Sequence, residues 1–113
     1  MLEKRYRFHS RGGVKYTYRT GVSFRVKGIT LVCAKNTRKH QRFAVVVSKK
    51  VLKTAVGRNR IRRRIYEAIR MELDWYKVYR DCIFIVNDRG FRDMDFKELQ
   101  KRIHDLLKQS TMV

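Results

Sequence analysis

The spacing of hydrophobic positions changes several times along the chain, and each change marks an element. Ile61, Ile65 and Ile69 recur every four residues, with Ala68 between them and Leu73 beyond. That is the apolar stripe of a helix, predicted from about Val56 to Tyr76 and closed by Trp75, Tyr76 and Tyr79 as a packing lid. Before it, Arg42 to Ser48 reads R-F-A-V-V-V-S, a near-continuous apolar run expected of a central strand. Ser23 to Lys35 alternates: Ile29, Leu31 and Cys33 point one way, and Thr30, Val32 and Ala34 the other. It is predicted as a strand that Gly28 breaks or bulges. Asn36 to Gln41 is a basic, polar turn. Asp81 to Asn87 holds another strand, followed by a turn at Asp88-Arg89-Gly90. Phe96, Leu99, Ile103, Leu106 and Leu107 predict a last helix to about Gln109, with Asp95 as N-cap and Glu98 as its capping-box partner.

Towards the N-terminus the pattern is weaker. Val14 and Tyr18 stand four apart between Ser10 and Thr20, and Gly21 suits a helix C′ position, so a short helix is predicted there. Gly12 and Gly13 oppose it. Residues 1–10 alternate Tyr6 and Phe8 with Arg5 and Arg7, as an arm or an extended segment. The resulting order is α-β-β-α-β-α, an α+β sandwich in which helices cover one face of a small sheet. At 113 residues it is read as one domain, 1–113, with one modest core.

Charge alters this picture most. Lys and Arg number 29 against 10 Asp and Glu, a net +19. No acid stands between Glu3 and Glu67, so the first two thirds build the basic surface. Such an excess points to a polyanion. It peaks at Arg58-Asn59-Arg60-Ile61-Arg62-Arg63-Arg64, where five of seven residues are arginine, preceded by Lys49, Lys50 and Lys53. On the helix predicted here, Asn59, Arg63, Glu67 and Arg70 lie away from the apolar stripe; Arg60 and Arg64 border it on one side and Arg62 on the other. Arginine's planar fork of donors suits phosphate. A solvated basic face is the plain alternative. A helix lying on a membrane ranks lower, because the stripe is aliphatic and continues into a globular pattern.

Other chemistry is sparse. No Ser-His-Asp or Cys-His arrangement and no metal-ligand rhythm is found, with His9, His40 and His104 scattered, so neither a catalytic residue nor a metal site is expected in the protein. Cys33 and Cys82 sit in strand-like runs and read as reduced core thiols. Met1-Leu2-Glu3-Lys4 lacks the apolar core of a signal peptide, and no run is long enough to span a membrane, so a cytoplasmic location is expected.

The arrangement V-V-V-S-K-K, a spacer, then R-N-R-I-R-R-R resembles the signature of the bacterial ribonuclease P protein component. Here it comprises Ser48, Lys49, Lys50 and Arg58 to Arg64; Val51-Leu52-Lys53-Thr54 stands where many members carry a glycine. The resemblance covers most of the chain. It implies a small sheet with helices and a left-handed β-α-β crossover around the R-N-R helix, against the usual hand. It implies that Lys49, Lys50, Lys53, Arg58, Asn59, Arg60, Arg62, Arg63 and Arg64 bind the structured catalytic RNA. It also implies a cleft for the single-stranded 5′ leader of precursor tRNA, lined by Val14, Tyr18 and Val32. Many members have phenylalanine where Val14 stands, and valine cannot stack. By pattern alone Val14 and Val32 read as core, and Tyr16 and Tyr18 as solvent-facing or core as readily as stacking. In the family the RNA, with bound Mg²⁺, performs the hydrolysis; no cofactor is bound by the protein alone, and no obligate protein partner is inferred. A small basic ribosomal protein would share the charge but not the S-K-K…R-N-R arrangement. A DNA-binding module is disfavoured by an arginine-rich helix without helix-turn-helix spacing.

Overall fold

A computed structural model describes residues 2–8, 11–36 and 39–112. Among them the chain forms α1 (Arg11–Thr20), β1 (Val22–Val26), β2 (Ile29–Lys35), β3 (Arg42–Val47), α2 (Ala55–Glu72), β4 (Arg80–Val86) and α3 (Phe96–Thr111), with short 3₁₀ turns at Lys4–Tyr6 and Arg89–Arg92. The sheet order is β1-β2-β4-β3. β1 and β4 both run antiparallel to β2, and β3 runs parallel to β4. The β3–α2–β4 segment is therefore a crossover between adjacent parallel strands, and the fold is an α+β one with a mixed sheet.

Alternation along the strands gives the sheet two different faces. Ile29, Leu31, Cys33, Phe43, Val45, Val47, Cys82, Phe84 and Val86 meet Ile61, Ile65, Ala68 and Ile69 of α2 and Leu99, Ile103, Leu106 and Leu107 of α3 in the main core. The stripe read from the sequence is thus the buried face of α2. The opposite face carries a smaller cluster of Phe8, Ala44 and Ile83, against which Val14, Val46 and Ile85 pack half-buried. α1 lies over β2 and β4 on this side. Its Thr17 is wholly buried, and the Thr17 hydroxyl donates back to the Gly13 carbonyl at 2.9 Å.

Five local expectations differ from what the fold contains. β3, expected from its near-continuous apolar run to be a central strand, is an edge strand: its run is buried because both faces are covered, and Arg7 pairs with Phe43 on its free side. The segment predicted as one interrupted strand is a hairpin, β1–β2, so the sheet has one more strand than the predicted order. Gly28 turns the chain at φ 82°, a left-handed conformation that glycine adopts without strain. Gly21 does end α1, with its amide donating to the Thr17 carbonyl at 2.8 Å, but its φ is not positive. Proximity requires it instead: a Cβ there would lie 2.5 Å from the Thr17 oxygen and 2.7 Å from Val32 Cγ1. Asp95 precedes α3 without a side-chain cap, and the Glu98 carboxylate, expected to complete a capping box, accepts instead from Arg102 at 3.1 Å, which in turn donates to the Lys27 carbonyl. Finally, α2 ends at Glu72, short of the predicted Tyr76. Tyr76 is fully buried, with its hydroxyl 3.1 Å from Ser110, while Tyr79 is exposed, so the lid rests on one tyrosine. Ser10, Thr37 and Arg38, which fall in the predicted first helix and basic turn, lie outside the described residues.

Candidate nucleic-acid interface

β3 delivers the chain to Ser48, Lys49 and Lys50, all exposed, in a turn where the Val51 and Leu52 amides both donate to the Ser48 carbonyl. Thr54 then caps α2, its hydroxyl accepting from the Gly57 amide at 3.2 Å. This cap was readable as a threonine before the helix, but the sequence pattern alone had not singled it out. Lys53 is exposed beside it.

The helix divides its arginines between two tasks. Arg58 donates to the carbonyls of Leu52 and Lys53 at 2.9 and 2.8 Å, closing the loop that leads into α2. Arg60 donates to the Arg92 carbonyl at 2.9 Å. Arg64 donates to the carbonyls of Phe91 and Arg92 at 2.6 and 2.9 Å, and to that of Met94. Burial, and then the adjacent Arg60, hold the Arg64 guanidinium below its ordinary pKa. Arg60 and Arg64, which border one side of the stripe, thus tie α2 to residues 89–94. Arg64→Ala should therefore loosen that segment: we expect a loss of about 1–3 kcal/mol in urea unfolding, because three carbonyls lose a charged donor. The salt dependence of RNA binding should change little, which a titration at several ionic strengths would check.

The other side is differently disposed. Asn59, Arg62, Arg63 and Tyr66 fall at positions i, i+3, i+4 and i+7, on one helical face. Arg62 donates to the Asn59 side-chain oxygen. Among the described residues no hydrogen bond or ion pair engages the Arg63 side chain. These four form one wall of a groove of about 510 Å³; Arg7, Phe8 and Val14 form the other, and Ala44, Val45 and Val46 of β3 the floor. No described lining residue is acidic. Tyr66 is buried, which pushes its phenol above the ordinary value, while the Val45 amide hydrogen bond, Arg7 and Arg62 pull it back.

Of the predicted leader-cleft residues, Val14 lies in this groove. Tyr18 stands one turn further along α1, 43% exposed, with burial of the rest raising its hydroxyl pKa. Val32 is 5% exposed beneath the end of α1, so it supports the site from below. Lys49, Lys50 and Lys53 are outside the groove, on the loop before α2. Strand register extends the floor: Arg25, Thr30, Ile85 and Val46 stand side by side across all four strands. The sequence reading missed Arg7, Phe8, Val46 and Tyr66. Tyr66 carried a signal in its spacing from Asn59; Arg7 and Phe8 carried only their alternation.

A small basic α+β protein whose arginine-bearing helix and half-open sheet face share one groove, with no acid among its described lining residues, has the surface of a polyanion binder. The family model described as ribonuclease P matches residues 2–111. The ribonuclease P protein component of Clostridioides difficile (strain 630) is 38% identical over 94 residues, 82% of this chain and 81% of that one. That of Roseiflexus castenholzii is 30% identical over 112 residues, 99% of this chain and 91% of its own. Among solved structures, a Staphylococcus aureus RNase P protein mutant with defective mRNA degradation activity superposes with TM-score 0.84 at 27% identity, covering 96% of this chain and 91% of that one. The Thermotoga maritima RNase P protein shares the fold, with TM-score 0.83 at 23% identity over 91% and 96% of the two chains.

The chain belongs to the ribonuclease P protein component family. It is accordingly a subunit of the ribonuclease P enzyme, works with an RNA subunit, and serves tRNA processing. No described helix is long and apolar enough to cross a membrane.

Proposed function

We propose that the chain grips the catalytic RNA through the Lys49–Lys50 turn, Lys53 and the outward face of α2, and holds the unpaired 5′ leader of precursor tRNA beside α1. The RNA, with its Mg²⁺, cleaves the phosphodiester; the protein positions the substrate, and a cytoplasmic setting goes with that role. The observation that carries this reading is the groove itself. Its floor is apolar, as unpaired bases prefer; its α2 wall is cationic, as phosphates prefer; and none of its described lining residues is a carboxylate. Tyr18 gives the α1 side an exposed aromatic ring, while Val14 offers packing without stacking.

Two results should follow. The RNA-free chain should leave precursor tRNA intact in Mg²⁺, and addition of the cognate catalytic RNA should yield cleavage at the mature 5′ end. Cleavage by the protein alone, persisting after RNA digestion and removal of the digesting nuclease, would contradict the division of labour. In the reconstituted enzyme, Tyr18→Ala should weaken precursor binding roughly five- to a hundred-fold, the worth of one stacked base, and leave mature tRNA binding nearly unchanged. Equal losses for both would show that Tyr18 does not meet the leader.

A further inference from the structure

The N-terminal segment brings to the groove a cation that the basic helix does not supply. Arg7 pairs with Phe43 in an isolated parallel bridge, and the Phe8 amide donates to the Phe43 carbonyl at 3.1 Å. Residue 7 is thereby fixed on the outer edge of β3. Its guanidinium carbon lies 5.9 Å from the centre of the Tyr66 ring. Tyr66 is itself buried in the main core, so Arg7 rests on a fixed platform. Yet the Arg7 Nε is buried and has no hydrogen-bond partner among the described residues. Buried donors are nearly always satisfied, and an orphan on a charged group is costly enough to need an explanation.

Arg7 as a whole is half-buried, so its terminal guanidinium nitrogens, not Nε, are the donors that a groove anion can reach. Arg62 and Arg63 share the groove with Arg7, and among the described residues no carboxylate offsets the three guanidinium groups. All three are positively charged, and an anion in the groove would offset that charge. A guanidinium matches a phosphate in geometry as well as charge. The apolar lining beside Arg7, Phe8 and Val14 of its own wall and Ala44 and Val46 of the floor, suits the bases of an unpaired strand rather than the closed exterior of a duplex.

We propose that Arg7 holds one backbone phosphate of the unpaired 5′ leader at the β3 end of the groove, and so sets the register in which the leader passes α1. This rests on the reading of the groove as the leader's site. The probes are a precursor tRNA with an unmodified leader, the mature tRNA, and precursors with one leader linkage at a time replaced by a neutral methylphosphonate. Each is titrated against the reconstituted enzyme carrying wild-type protein, Arg7→Gln or Tyr18→Ala. Arg7→Gln should weaken the unmodified precursor roughly ten-fold or more and leave mature tRNA unaffected. One methylphosphonate should impose a similar loss on the wild type and add little to that of Arg7→Gln, the non-additivity expected of two halves of one contact.

Additive losses at every linkage would overturn the proposal. So would equal losses for precursor and mature tRNA, which would make Arg7 a folding residue or a contact of the RNA subunit. If Tyr18→Ala shows a leader-dependent loss and Arg7→Gln does not, Arg7 is wrongly assigned and the groove reading stands. If neither variant shows one, the groove reading itself fails.

Discussion

Replacing Arg62 and Arg63 together with alanine should weaken binding of precursor tRNA by the reconstituted enzyme roughly a hundred-fold and flatten its salt dependence. Both side chains belong to the wall of α2 that faces the groove, and neither anchors the fold. A charge-assisted contact is worth about 1.5–3 kcal/mol, and the lower end suits exposed groups; two such contacts give about the stated factor. Each phosphate released should lower the log–log salt slope by about 0.7–0.9, depending on whether the RNA there is single- or double-stranded. Urea unfolding should scarcely change, because Ile61, Ile65 and Ile69 hold the opposite side of the helix in the core. A folded double variant with an unchanged slope would remove this face from the RNA contact. Arg60→Ala is the matched comparison. It takes a charge from the same helix, but one whose Nε is already committed to the Arg92 carbonyl.

The largest stability loss should come from Asp81→Ala. The Asp81 carboxylate accepts two bonds from Arg42, at 2.8 and 2.7 Å, and one from Asn36 at 2.9 Å. The two side chains of the pair are only 17% and 11% exposed. Removing the carboxylate leaves a mostly buried guanidinium without its partner, a change that costs about 3–5 kcal/mol. For a domain of this size that corresponds to a fall in Tm of more than about 10 °C. The damage should reach the groove, because the Arg42 guanidinium also lies 4.9 Å from the Phe8 ring. Thermal unfolding followed by circular dichroism would measure it. A loss below about 1 kcal/mol would mean that the pair behaves as a surface bridge does.

What the sequence made readable was what depends on neighbours along the chain. The i, i+4 isoleucines placed α2 and its buried face, and the alternation of β2 assigned Ile29, Leu31 and Cys33 to the main core. The placement of Arg60 and Arg64 on one side of the stripe and Arg62 on the other also agrees with the structure. Their different tasks were hidden, because the carbonyls that hold Arg60 and Arg64 lie some thirty residues away, 32 for Arg92 and 27 for Phe91. No local pattern reports that contact. Glu98 was read as a capping partner because its spacing from Asp95 is right, but its carboxylate accepts instead from Arg102, one turn along the same helix. Gly28 was recognised as an interruption; whether an interrupted strand bulges or folds back is decided by pairing across the sheet. Arg7 and Phe8 illustrate the same limit, since only docking on the edge of β3 turns a polar-aromatic arm into part of the site.

The proposal that the leader lies between α1 and the basic helix is tested most directly by photocrosslinking. Precursor tRNA carrying 4-thiouridine at successive leader positions would be bound to the reconstituted enzyme, irradiated, and the crosslinked peptides mapped. Crosslinks should fall on α1 around Val14 and Tyr18 and on the floor strands around Val46 and Ile85, moving along this path as the label moves along the leader. Crosslinks confined to α3, on the far side of the sheet, or absent from every leader position, would contradict it.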